Sequence, residues 1–138
     1  MFLLDTNVIS ELRPDKPQAS PVVLAWAASV PLQAQYTSPL CLMELEIGIL
    51  RLERRQPPEG KAMRAWLEHV RQLFSPRLLI VDDKVCQRCA QLHVPDKVPS
   101  HDALVAATAL VHGMTMVTRN TADFERTGVA LLNPWESR

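Results

Sequence analysis

MFLLDTNVIS, residues 1–10, is the stretch on which the fold turns. Met1 to Leu4 are apolar without a break, and the run stops at Asp5. Unbroken apolar runs of this length read as strands buried on both faces, the pattern of a parallel sheet covered by helices. Asn7 then opens a short helix. The segment has no basic residue ahead of its apolar part and carries an acid inside its start, so it reads as a strand rather than a signal peptide. A carboxylate at the end of a buried strand needs a partner or a metal ion. Its competing role is to cap the helix that follows.

Working outward, strand and helix patterns alternate. Residues 21–30 (PVVLAWAASV) form a helix with proline in its first turn. A short strand over Ala34 to Ser38 leads at Pro39 into a long helix to about Arg55. Gln56 to Gly60 (QPPEG) breaks it, and helical spacing resumes over Lys61 to Phe74. Leu78 to Val81 (LLIV) is predicted as a further strand, followed by a helix over Asp83 to Leu92 and a proline-containing loop over Val94 to Ser100. Ser100 is predicted to cap the next helix, which ends at Gly113. Met114 to Thr118 and Val129 to Leu132 are the last strands, with a short helical turn opened by Asn120 between them. Alternation of this kind predicts an α/β fold, a three-layer α/β/α domain on a mainly parallel sheet, with residues 1–138 as one domain. Sites in such sheets lie outside the carboxyl ends of the strands.

Composition narrows the functional classes. Lys plus Arg and Asp plus Glu number 15 each in 138 residues, so the chain is not a basic protein that coats nucleic acid. No apolar run reaches membrane-spanning length, which predicts a cytoplasmic protein without membrane association. Three cysteines do not make a disulfide framework. Cys86, Cys89 and His93 share one helix face at ligand-like spacing. Without a second Cys/His pair they are read as packing residues rather than a zinc site.

The acids are the chemistry-bearing residues. Asp5 ends the first strand. Asp102 stands at the mouth of a helix whose Ala103 to Val111 segment is apolar nearly all round, the mark of a helix buried against the sheet. Asp123 follows Asn120 by three residues and is equally well read as a capping acid. On the helix from Pro39, periodicity puts Glu44 in a polar stripe with Gly48, Arg51 and Arg55, and puts Glu46 inside the apolar arc, where a helix or dimer contact is expected to pair its charge or pack its stem. Two carboxylates about 4 Å apart repel by roughly 4 kcal/mol at an effective dielectric of 20. A convergent set therefore calls for cations, and Mg²⁺ or Mn²⁺ suits an all-oxygen donor set that also takes phosphate.

Four segments in order, LLDTNVISEL (3–12), MELEIGILRL (43–52), HDALVAATALVHG (101–113) and VTRNTADFERTGVALLNPWE (117–136), resemble the PIN domain, in the VapC/FitB-like toxin branch of bacterial toxin–antitoxin systems. The resemblance implies Mg²⁺- or Mn²⁺-dependent endoribonuclease activity. It implies Asp5, Glu44, Asp102 and Asp123 as catalytic and metal-binding acids, with Thr6, Thr118 and Asn120 as supporting polar residues. Arg51 and Arg55 are candidate substrate contacts. A homodimer, an RNA substrate and a small antitoxin are the implied partners. His101, ahead of Asp102, departs from the small residue usual there, which leaves its role open between tuning metal access and sitting at the groove edge. Two other readings compete. A haloacid-dehalogenase-type phosphatase needs a second acid two residues after the first, where Asn7 stands here. A non-catalytic binding protein would use the same acids as helix caps.

Overall fold

A computed structural model describes residues 1–136. The strands are short and all parallel: β1 (Phe2–Leu4), β2 (Gln35–Tyr36), β3 (Thr115–Val117) and β4 (Leu131–Leu132), in the order β2-β1-β3-β4. The helices are α1 (Thr6–Glu11), α2 (Pro21–Ser29), α3 (Pro39–Arg55), α4 (Pro57–Phe74), α5 (Asp83–Leu92) and α6 (Ser100–Val111). β1 lies between β2 and β3, which places the end of the first strand near the middle of the carboxyl edge.

Successive residues of a strand point to opposite faces, and two cores follow from that alternation. Leu3 and Met116 face one core with Val105, Ala106, Ala109 and Phe124. Leu4 and Val117 face the other with Val8, Ile9, Leu42, Leu45, Leu67 and Phe74. α1, α3 and α4 cover the second face and α6 the first, with α5 packed outside α6 through Val85, Cys89, Ala103 and Ala107. The predicted three layers are present. α6 is apolar nearly all round because it sits between the sheet and α5. It closes at Gly113, whose φ of 63° is the left-handed conformation glycine adopts without strain.

Three expectations are corrected. QPPEG does not break the helical region over five residues. Only Gln56 separates α3 from α4, because proline at the first turn suits a helix start, and Pro57 and Pro58 begin α4. Leu78 to Val81 is not a strand. Leu78 makes one parallel bridge to Thr37, and beyond Leu79 the chain leaves the sheet with Ile80 64% exposed. Ser100 does not cap α6. It lies inside the helix, Pro99 occupies the cap position, and no side chain makes the capping bond.

Candidate active site

The end of β1 is built around one carboxylate. Asp5 continues the ladder through its N–H, which donates to the Val117 carbonyl at 2.9 Å, and it is only 8% exposed. Its Oδ1 accepts from the N–H of Thr6 at 2.8 Å and its Oδ2 from Thr118 Oγ1 at 2.8 Å. Asp5 is thus both the N-cap of α1 and an interior acid, so the two readings of this residue are not alternatives. Despite these hydrogen bonds burial pushes its carboxyl above the ordinary aspartate value, and the charges of Glu44 and Asp102 push the same way. The Cys41 thiol, buried beside it at 3.9 Å, is raised to about 12, first by burial and then by the Asp5 charge.

The other predicted acids reach the same rim by different routes. Asp102 sits in the first turn of α6, half-buried, and is raised by burial and by Asp123 and Glu44, while His101 opposes the shift. Glu44 lies in the second turn of α3, exposed. Asp123 ends a 3₁₀ turn over Thr121–Asp123 and is exposed. Each acid feels the field of at least one other, and Asp102 feels both Glu44 and Asp123. Asp5 and Asp102 are thus the two acids on which the charges of the others act.

The donors are hard oxygens with mutually repelling charges, the chemistry that a Mg²⁺-type ion meets. Among the described residues no three His, Cys, Asp or Glu side chains close on a single point.

The supporting residues divide. Thr118 is fully buried and is the hub, donating to Asp5 and accepting from Asn7 Nδ2 at 3.3 Å and from the Asn120 N–H at 3.1 Å. Thr6 holds Asp5 through its main chain and sends its hydroxyl to the Cys41 carbonyl at 3.4 Å. Asn120 contributes its main chain. Asn7 is a site residue that sequence reasoning missed. It bridges Thr118 to the Arg119 N–H, and the only available signal was its place in the DTN triplet. His101 Nε2 lies 2.9 Å from Glu44 Oε1 but off the hydrogen-bonding direction, so that this buried nitrogen has no hydrogen-bond partner among the described residues.

Glu46 lies at the contact between α3 and α4 with its charge paired, as expected. It is half-buried, not enclosed, and ion-pairs with Arg64 and, at 3.1 Å, with Arg71, both from α4. Arg51 and Arg55 are exposed on α3. They follow Glu44 by seven and eleven residues, which puts them about 10 and 16 Å further along the helix axis. α3 starts at the carboxyl edge, so these arginines lie away from the acids. Cys86 is exposed and Cys89 buried, with Cys89 Sγ 3.8 Å from His93 Nε2.

Residues 2–130 match the PIN domain. The chain belongs to the PIN-domain family. Within it, the toxin FitB of Neisseria gonorrhoeae is 37% identical, over 98% of this chain and 99% of FitB. The VapC ribonuclease Y4jK of Sinorhizobium fredii is 32% identical, over 99% of each chain. A chain of the FitAcB crystal structure from Neisseria gonorrhoeae superposes with a TM-score of 0.90 at 35% identity, covering 99% of this chain and all of that one. This PIN domain therefore shares its whole architecture, and not one motif alone, with these relatives.

Proposed function

We propose that this PIN domain is a metal-dependent endoribonuclease, the toxin component of a toxin–antitoxin module, formed by residues 1–138 as a single domain. The observation that carries the reading is Asp5, a buried carboxylate held by two hydrogen bonds and still raised, with Glu44 and Asp102 adding their repulsion. Keeping such a group charged costs stability, and a site that binds a cation recovers that cost on loading. The names of FitB and Y4jK support the toxin and the ribonuclease parts of the reading respectively.

Asp5, Glu44, Asp102 and Asp123 would hold Mg²⁺ or Mn²⁺, which when bound supplies water activation and neutralises charge developing on the phosphodiester. The chain's own residues do the positioning. Thr118 and the Thr6 N–H fix both oxygens of Asp5, so that this acid has one orientation. The α6 buried between sheet and α5 fixes Asp102 at the rim. Glu44, at the exposed end of the set, is free to meet a metal through water. Without a cation the acids repel RNA, so metal and substrate bind together.

Purified protein with Mn²⁺ is expected to cut structured RNA and to stop in EDTA. Undiminished cleavage in EDTA refutes the mechanism. We further propose a homodimer, restrained by a small antitoxin that places an arginine or lysine among the acids. Light scattering of the native protein, alone and with its partner, tests both. No helix among the described residues is long and apolar enough to cross a membrane, and the reading places the protein in the cytoplasm.

A further inference from the structure

Arg119 directly follows Thr118, the hub of the Asp5 site, and its main chain is held on both sides. Its N–H donates to Asn7 Oδ1 at 3.3 Å, and its carbonyl accepts from Asn133 Nδ2 at 3.5 Å. Asn7 also donates to Thr118 Oγ1, which donates to Asp5. Asp5 and Arg119 therefore stand on one bonded frame.

The side chain is placed as well. The guanidinium carbon lies 5.1 Å from the centroid of the Trp135 ring. Trp135 is half-buried against the core that includes Leu132, and Asn133 Oδ1 accepts its N–H at 2.9 Å. Arg119 itself is exposed, and among the described residues no carboxylate lies within ion-pairing distance of it. Glu11, whose field it shares, is already satisfied by Lys16 Nζ at 2.7 Å and the Ser20 N–H at 2.6 Å. Arg119 is thus an exposed arginine oriented on an aromatic ring, one residue past the hub of the Asp5 site and without an ion-pair partner among the described residues.

A guanidinium lying on an aromatic face keeps its edge donors for phosphate and its outer plane for a base. We propose that Arg119, held on Trp135, is an RNA-binding residue that takes a phosphate of the bound strand. It stands on the β4 side of Asp5, whereas Glu44 comes from the β2 side. This rests on the ribonuclease reading above and assigns the strand a path along the carboxyl edge towards β4. Trp135 is a positioning residue, acting through Arg119.

The test uses the full chain and a fluorescein-labelled single-stranded RNA of about 20 nucleotides, long enough to span the edge, with anisotropy read in Ca²⁺, which meets the same oxygen donors, and the RNA checked on a gel to be intact afterwards. Arg119→Gln is expected to weaken binding about tenfold and to lower the salt dependence by about 0.7 in log–log slope, the signature of one phosphate contact. Arg119→Lys is expected to lose less. Trp135→Phe keeps a ring and is expected to bind like the unsubstituted protein, whereas Trp135→Leu weakens binding about threefold. In Mn²⁺-dependent cleavage, Arg119→Gln raises KM and leaves kcat within about twofold. Unchanged affinity in Arg119→Gln, a loss that tracks a lowered melting temperature, or no RNA binding by the unsubstituted protein overturns the proposal. If affinity falls as described while no variant cuts RNA with Mn²⁺, the Arg119 contact stands and the nuclease reading falls. If cleavage is intact and Arg119→Gln leaves KM unchanged, the Arg119 contact alone falls.

Discussion

Glu44 and Glu46 stand two residues apart on α3, and replacing each by glutamine is expected to give opposite results. Glu46 pairs with Arg64 and Arg71, and its carboxyl is held below the usual glutamate value chiefly by the Arg64 hydrogen bond. Arg64 keeps a two-point contact with Glu53 at 2.9 and 3.2 Å, so Glu46→Gln strands only Arg71, which is 38% exposed. The loss therefore falls between an exposed pair, about 0–1 kcal/mol, and a buried one, about 3–5 kcal/mol. About 1–2 kcal/mol is expected, or roughly 3–8 °C in melting temperature for a domain of this size. A depressed carboxyl stabilises above its unfolded pKa, and that stability is lost as pH falls through the folded value. The deficit is therefore full at neutral pH and closes below the ordinary glutamate value of 4.5. Glu44 is 43% exposed and its ion-pair partner is His101, while its charge acts against Asp5 and Asp102, so Glu44→Gln should leave melting in EDTA unchanged or slightly raised. It should instead abolish most of the Mn²⁺-dependent rise in melting temperature, which at 100 times the dissociation constant amounts to about 2.7 kcal/mol, and should slow cleavage steeply. Calorimetry with and without Mn²⁺ and an RNA cleavage assay on both variants decide the matter. A Glu46 variant without activity but with full stability, beside an active Glu44 variant, refutes the assignment.

Asp102→Asn should abolish cleavage yet melt in EDTA at or above the unsubstituted temperature at neutral pH. Its raised carboxyl costs stability above the folded pKa, and the difference should vanish below the ordinary value of 3.8. Melting curves against pH check the sign. Gly60→Ala should destabilise by up to about 2 kcal/mol in denaturant titration, since overpacking costs about 1–3 kcal/mol against a helix-propensity gain of about 1. A Cβ there would fall 2.6 Å from Glu53 Cα, and backbone cannot move aside cheaply. In thiol titration Cys86 should react quickly in the native protein and all three cysteines only after unfolding, because Cys41 and Cys89 are buried. Metal analysis of chelator-free protein should find no stoichiometric zinc.

Legibility in the sequence followed the range of the interactions. The β1 strand and Asp5 are readable because an apolar run ending in an acid is a local pattern. α6 is readable because its apolar girth is. The solvated phase of Glu44 is correct, and it is also what a site acid at an open rim needs, so phase and motif agree there. That Glu46 sits at a helix contact with its charge paired follows from its place in the apolar arc, but its partners, Arg64 and Arg71, belong to another helix, and one helix's periodicity does not name them. Residues 78–81 look like a strand by composition, but whether a run pairs depends on a neighbour, and only Thr37 offers one. Arg119 on Trp135 was not foreseen either, since it joins two loops after different strands.

The hydrogen bond from Thr118 to Asp5 spans 113 positions of sequence, and that distance has a meaning in time. A chain emerging from the ribosome presents Asp5 113 residues before Thr118. At about 5–20 residues per second the acid waits roughly 6–20 s for the hydroxyl that orients it. β1 likewise has to wait for β3 before the centre of the sheet exists, and pairings this remote form late. A chain made only as far as β3 thus carries Asp5, Glu44 and Asp102 without the hydroxyl that orients Asp5, and the proposed site is complete only once Thr118 and Asp123 have followed. For a protein whose proposed activity is cutting RNA, that timing keeps the nascent chain inert while it is still attached to the message and ribosome that make it.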